Sequence, residues 1–253
     1  MLLLLPPSET KRDGGEGAPL DIATLAFPGF SALRVELVER LAALAADADA
    51  MMHALRLGPR LTFEVERNRA LREAPTMAAI DRYTGVLFDA LDAGSLDEPS
   101  RSFAADTVMV HSALFGPVGA LDAIPAYRLS HDSHLPGLSL RSHWRDAIAS
   151  RLAAHRGVIV DLRSEGYAEL GPAPARANSA FVRVVAEGAD GRRRAPNHFN
   201  KQAKGRFTRA LLESRPDVAS LDELVDWATT AGFTFELLSE SSGGAPHELE
   251  LVA

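Results

Sequence analysis

Apolar positions along the chain follow two rhythms: short unbroken runs, and longer stretches at helical spacing. Leu2 to Leu5 and Val158-Ile159-Val160-Asp161-Leu162 are runs of the first kind, the pattern of strands covered on both faces. The residues around Val108 and Val110, and those from Phe181 to Val185, add two more strands. Phe233 to Leu238 with Glu248 to Val252 predicts a terminal hairpin. Helical spacing appears at Leu33, Leu37, Leu41 and Leu44, with Ser31 as the expected cap, from Thr76 to about Leu91 after Pro75, and from Ser142 to Leu152. Ser220-Leu221-Asp222-Glu223 has the spacing of a capping box opening a helix that reaches Trp227. From near Asn200, Ala203, Phe207, Ala210 and Leu211 recur at i, i+4, i+7 and i+8, a buried helical stripe. Strands and helices interleave throughout, which predicts an α/β architecture. No linker or repeat divides the chain, so one domain over residues 1–253 is expected.

Charge sharpens this picture at one place. The chain carries 27 basic and 34 acidic residues, yet from Gly191 to Leu212 there are seven Lys or Arg and no Asp or Glu. Such a concentration on an acidic protein marks a local anion site, for nucleic-acid backbone, nucleotide phosphate or substrate carboxylate. The alternative is a solvated basic face that follows an arginine-rich turn at Gly188 to Gly191. On the predicted helix Lys201 and Arg209 face away from the apolar stripe while Lys204 and Arg206 flank it, so these cations span a broad arc. Gly205 costs about 1 kcal/mol relative to Ala in a helix interior, so a backbone or a phosphate is expected to approach closely there.

At 253 residues with 46% hydrophobic and 24% charged content, the chain is long enough for one substantial core. Without cysteine it has no disulfide, thiolate nucleophile or Cys-ligated zinc, which accords with a reducing compartment. The apolar run at Met1 to Leu5 ends at Pro6-Pro7, too short for a signal peptide or membrane span, so a cytoplasmic location with no membrane partner is expected.

Three predicted strand exits carry polar residues: Ser8 to Lys11, His111 to Ser112, and Arg163 to Tyr167. Ligands of α/β proteins bind where strand ends converge, so these exits and the basic helix are the candidate site. Ser8 and Lys11 match S-x-x-K, in which a lysine deprotonates a serine, but the accompanying motifs are missing and chance explains the match better. Ser164, in Leu162-Arg163-Ser164-Glu165-Gly166, lacks the first glycine of a nucleophile elbow. His131-Asp132-Ser133-His134 offers metal-ligand residue types but sits in a Pro- and Gly-bounded stretch that reads as a surface loop. Glu165 and Glu169 would serve as acid or base only if burial raised their affinity for protons. No metal or cofactor is assigned.

Six segments in order resemble the YaaA family of bacterial peroxide-stress proteins: Leu4-Leu5-Pro6-Pro7-Ser8-Glu9-Thr10-Lys11, Tyr83-Thr84-Gly85, Leu114-Phe115-Gly116 with Leu121-Asp122, Pro125-Ala126-Tyr127-Arg128-Leu129, Val160 to Tyr167, and Asn200 to Arg206. The resemblance implies a single mixed-sheet α/β domain of unusual topology flanked by helices, with a positively charged cleft and a helix-hairpin-helix-like element. It also implies DNA binding with little sequence specificity and a role in limiting iron-linked oxidative damage. The hairpin would fall at Phe115-Gly116-Pro117-Val118-Gly119, although Pro117 removes one amide. The histidines between Ser130 and Pro136 are not part of the family pattern. On this reading Gly116, Gly119, Arg128, Arg163, Lys201, Lys204, Arg206 and Arg209 contact anions or nucleic acid. The alternative is an enzyme that acts on a small phosphorylated or nucleobase-containing substrate in the same cleft, with Ser8, Lys11, Arg128, Ser164 and Tyr167 at the reacting end.

Overall fold

The computed structural model describes residues 1–187, 193–194, 197–241 and 244–252. In chain order the elements begin with β1 (Leu2–Leu5), β2 (Gly17–Pro19), α1 (Ser31–Ala45), α2 (Ala48–Ala54) and α3 (Phe63–Arg69). There follow β3 (Pro75–Ala78), α4 (Ala79–Arg82), α5 (Val86–Leu91), α6 (Glu98–Thr107), β4 (Val108–Ser112), β5 (Gly116–Gly119) and β6 (Ala123–Ile124). The second half contains α7 (Leu140–Ala153), β7 (Ile159–Asp161), α8 (Glu165–Ala168), β8 (Ser179–Glu187), β9 (Arg193–Arg194), α9 (Asn197–Ser214), α10 (Leu221–Thr230), β10 (Thr234–Ser239) and β11 (His247–Val252). The turn expected at Gly188 to Gly191 and Arg192 lie outside the described residues.

The main sheet runs β10-β11-β8-β7-β1-β4-β5, with β9 paired to β8, and a small second sheet joins β2, β3 and β6. Strands β11, β8, β7, β1 and β4 are mutually parallel, while β5 and β10 run antiparallel at the two edges. The fold is therefore α/β with a mixed sheet flanked by helices. Leu3 and Leu5 are fully buried in β1, as are Val108 and Val110 in β4 and Ile159 and Val160 in β7. These apolar runs give the parallel strands a covering on both faces.

Three local expectations are corrected. The helix predicted from Thr76 to Leu91 is a strand and two short helices, because residues 76–78 pair with β2 and β6 and Gly85 turns the chain at φ +96°. Ser31 lies inside α1 and does not cap it; Phe30 precedes the helix without a side-chain cap. The segment Phe115 to Gly119, expected to offer glycine amides to a phosphate, is mostly β5, buried and paired with β4. There Gly116 lies at φ +65° against Trp144, and the Gly119 amide donates to the Asp122 carboxylate at 2.9 Å. A helix-hairpin-helix element is not found at that position. At Ser220 the cap half of the box is formed, its hydroxyl accepting from the Glu223 amide at 3.2 Å, while the Glu223 carboxylate reaches one residue further back and accepts from the Ala219 amide at 2.7 Å.

Candidate functional site

From β1 the chain continues toward strands on the β4 side of the sheet, and from β7 toward β8 on the other. Parallel neighbours whose connections leave in opposite directions open a crevice beyond their carboxyl ends, where side chains and backbone donors meet. A cleft of about 540 Å³ lies there. Its walls are the β1 exit from Pro6 to Thr10, the start of α5 from Thr84 to Phe88, Ser130 with His131, the β7 exit at Ser164 with Tyr167, and Asn200, Lys201 and Lys204 of α9.

Helix α9 reaches the cleft because it packs tightly on α5. A side-chain carbon added at Gly205 would stand 2.2 Å from the Leu87 carbonyl oxygen and 2.8 Å from the Ala90 β-carbon. The close approach expected at this glycine is thus a backbone. Behind the crossing, Phe207 is buried against Trp227, Phe233 and Phe235, which anchors the apolar stripe.

Of the sequence-predicted residues, the cleft brings together Ser8, Ser164, Tyr167, Lys201 and Lys204. The rest are placed elsewhere. Lys11 is buried behind the loop: its Nζ donates to the carbonyls of Ser8 (3.0 Å) and Glu9 (3.3 Å) and sits 4.1 Å from the Tyr127 ring centre. It does not bond the Ser8 hydroxyl, which lies 3.2 Å from Thr10 Oγ1, so the S-x-x-K spacing forms no serine–lysine pair. Arg128 pairs with the Glu9 carboxylate at 2.7 Å. Arg163 is fully buried, with its guanidinium on the Asp161 carboxylate (2.6 and 2.8 Å) and on His111 Nδ1 (2.5 Å). Arg206 is exposed on α9. Arg209 turns to Glu213 (2.8 Å), Asp92 (3.5 Å) and the Leu91 carbonyl (3.0 Å). Gly116 and Gly119 do not line the cleft. His131 does line it, packed edge-on to Tyr167, and among the described residues no group of three His, Asp or Glu is placed to hold a metal ion.

Burial changes the amines most. Desolvation lowers the Lys204 ammonium to a pKa of about 8, partly offset by Asp161, while its Nζ donates to the Leu162 carbonyl at 2.8 Å. Desolvation likewise brings Lys11 down to about 7, against attraction from Glu64. Burial pushes the phenols of Tyr83, Tyr127 and Tyr167 upward, so all three stay protonated at neutral pH. Burial and the adjacent Arg163 hold His111 neutral. Its Nδ1 accepts from Arg163, which puts the imidazole proton on Nε2.

Sequence reasoning missed a hydroxyl chain under the β1 exit. Tyr83 and Tyr127 share a hydrogen bond of 2.8 Å, Tyr127 and Ser112 one of 2.7 Å, and Ser112 Oγ accepts from the amides of Leu114 and Phe115. The chain contains three tyrosines; two build this network and the third lines the cleft, a concentration that composition alone could have flagged. Arg34 and Arg82 were also missed: both are fully buried and tie loops together by donating to carbonyls, Arg34 to Ala26, Phe115 and Pro117, Arg82 to Arg12, Pro75 and Ile124.

The Lys11 shift carries a stability prediction. Between pH 7 and 10.5 the unfolded chain holds a proton on Lys11 that the folded chain has released, so folding gains as pH rises through this window and the gain is lost as pH falls to 7. Urea unfolding of wild type and Lys11→Met at pH 7, 8 and 9 is expected to show the difference moving in favour of wild type at each step. A difference independent of pH would mean that the amine is solvated.

The family model described as "Peroxide stress protein YaaA" matches residues 1–237. A UPF0246 protein of Corynebacterium efficiens is 42% identical over 94% of this chain and 95% of its own length. One from Streptomyces coelicolor is 40% identical over 100% of this chain and 98% of its own length. A more distant UPF0246 protein, from Dinoroseobacter shibae, is 32% identical over 65% of this chain and 61% of its own length. The match along nearly the whole chain, on a fold whose cleft draws on four of the six segments that carry the resemblance, places this protein in the YaaA family of peroxide stress proteins.

Proposed function

We propose that the cleft binds, and acts on, a small phosphorylated or nucleobase-containing compound, and that a cytoplasmic role in limiting iron-linked peroxide damage runs through that ligand. The observation that carries this reading is the meeting of Ser8, Ser164, Tyr167, Lys201 and Lys204 in one recess at the ends of β1 and β7. Its volume falls in the range of small-molecule sites, roughly 300–1,000 Å³. Exposed Lys201 supplies the charge for an anion, and Ser164 lines the same recess. Thermal unfolding with a panel of nucleotides, nucleosides and sugar phosphates tests it. A ligand at ten times its dissociation constant contributes about 1.4 kcal/mol, or roughly 3–6 °C for a chain of this length. Lys201→Ala is expected to lose most of the shift seen with the phosphorylated ligand. No stabilisation by any member at millimolar concentration would overturn the proposal.

DNA binding is a second reading, favoured by the exposure of Lys201 and Arg206 on α9. The geometry supports it less: Lys204 is engaged with Leu162, Arg209 with Asp92 and Glu213, and Arg206 lies five positions after Lys201, placing them about 140° apart around the helix. Titration of duplex and branched DNA at several salt concentrations checks it. Affinity should fall by about 0.9 log unit per log unit of salt for each phosphate neutralised, and Lys201→Ala with Arg206→Ala should flatten that slope.

A further inference from the structure

The basic residues of this protein are 24 arginines and three lysines, and the lysines are Lys11, Lys201 and Lys204. The buried cations that tie loops to carbonyls, Arg34 and Arg82, and the one in the buried ion pair with Asp161, Arg163, are all arginines. Its three lysine amines all gather at one place. Two line the cleft, and the third fastens the back of the loop that forms the cleft's β1 wall. An arginine in these positions would keep the charge and lose the capacity to become a neutral nitrogen nucleophile.

We propose that Lys204 is a reactive amine that captures a small phosphorylated aldehyde or ketone in the cleft as a Schiff base. The proposal rests on the small-ligand reading above and narrows it to carbonyl compounds. In the reaction the neutral amine nitrogen adds to the carbonyl carbon, and the two hydrogens on nitrogen leave with the carbonyl oxygen as water. A carbon–nitrogen double bond remains, with no change of oxidation state.

Three features of the geometry single out Lys204 among the three amines. It lines the cleft and yet is 7% exposed, so its side chain forms a desolvated part of the wall around the space a ligand would fill. Its Nζ is aimed by one good hydrogen bond to the Leu162 carbonyl at 2.8 Å, with the Arg163 carbonyl at the limit of bonding distance, 3.5 Å. The Ser164 hydroxyl and the Tyr167 phenol, which stays protonated, share the cleft and can donate to the departing oxygen. Desolvation also shifts the protonation balance: lowered to about 8, the Lys204 amine is neutral near neutral pH far more often than an ordinary lysine. Lys11 lacks access, enclosed by two tyrosine rings and two carbonyls, and Lys201 is exposed.

The test uses the full chain with pyridoxal 5′-phosphate as probe, trapped by borohydride and mapped by peptide mass spectrometry, beside the alcohol analogue pyridoxine 5′-phosphate. With three lysines and the amino terminus as the amines present, the assignment is unambiguous. The expected result is labelling at Lys204 at least tenfold above Lys11 and Lys201, rising with pH to a midpoint near 8, and loss of that label in a folded Lys204→Arg protein. The wild-type map and its pH profile decide the question even if the variant does not fold. Labelling spread over Lys201 and the amino terminus, or with a midpoint above 10, overturns the proposal. If pyridoxine phosphate raises the melting temperature while pyridoxal phosphate leaves Lys204 unlabelled, the ligand site stands and the amine chemistry falls. If neither compound stabilises the protein and Lys204 stays unlabelled, both this proposal and its phosphorylated-ligand basis fall.

Discussion

Asp161→Ala is expected to cost about 3–5 kcal/mol, a fall of roughly 6–20 °C in melting temperature, measured by thermal and urea unfolding. Asp161 is 1% exposed and Arg163 fully buried, and the carboxylate takes three bonds from Arg163: from its amide at 3.1 Å, from Nε at 2.8 Å and from Nη2 at 2.6 Å. Removing it leaves a buried guanidinium whose remaining side-chain partner is His111, an imidazole already held neutral by its surroundings. The size of the effect lies in the unpaired charge more than in the strength of the pair, so Asp161→Leu with Arg163→Met should lose less than the single change. Damage to the site should accompany the loss, because the carbonyls of Leu162 and Arg163 face the Lys204 ammonium. A single variant within about 1 kcal/mol of wild type would show that the pair is solvated.

Gly205→Ala sets two local effects against each other. Helix propensity favours alanine by about 1 kcal/mol. Packing opposes it, since the new methyl would lie 2.2 Å from the Leu87 carbonyl oxygen and 3.1 Å from the carbon that bears it, and a backbone cannot rotate out of the way as a side chain can. Overpacking of this kind costs typically about 1–3 kcal/mol, and at this separation the upper end is expected to prevail, giving a net loss of about 2 kcal/mol in urea unfolding. Helices α5 and α9 form adjoining walls of the cleft, so pushing them apart should also weaken ligand-induced stabilisation. A more stable Gly205→Ala protein would mean that α9 can slide on α5, and the cleft would then be adjustable.

How much of this could be read beforehand differs by element. The parallel strands β1, β4 and β7 were legible because their Leu-, Val- and Ile-rich runs are too short for helices and too unbroken for a half-exposed strand. Helix α9 was legible from its stripe, and Gly205 from its cost. The region from Thr76 to Leu91 was not, since its apolar spacing suits a helix while pairing with β2 and β6 makes its first part a strand. Ser8, Ser164, Tyr167, Lys201 and Lys204 were identified as candidates by their place at strand exits and on the basic helix, and the structure brings them into one recess. Gly116 and Gly119 were read as phosphate-facing amides because glycine pairs near apolar residues look alike whether they open to solvent or lie in a buried edge hairpin.

The sequence by itself determined the parallel strands β1, β4 and β7, helix α9, the α/β class, the basic segment and the family, because these depend on periodicity, composition and the order of short motifs, all local along the chain. Only the tertiary structure decided which cations face a ligand. Arg163, Arg209 and Lys204 carry the same formal charge, yet one is buried in an ion pair, one is turned to surface carboxylates, and one is desolvated in a cleft wall. That choice is made by contacts between residues tens to over a hundred positions apart, where desolvation and pairing, both set by three-dimensional neighbours, fix what an ionisable group can do.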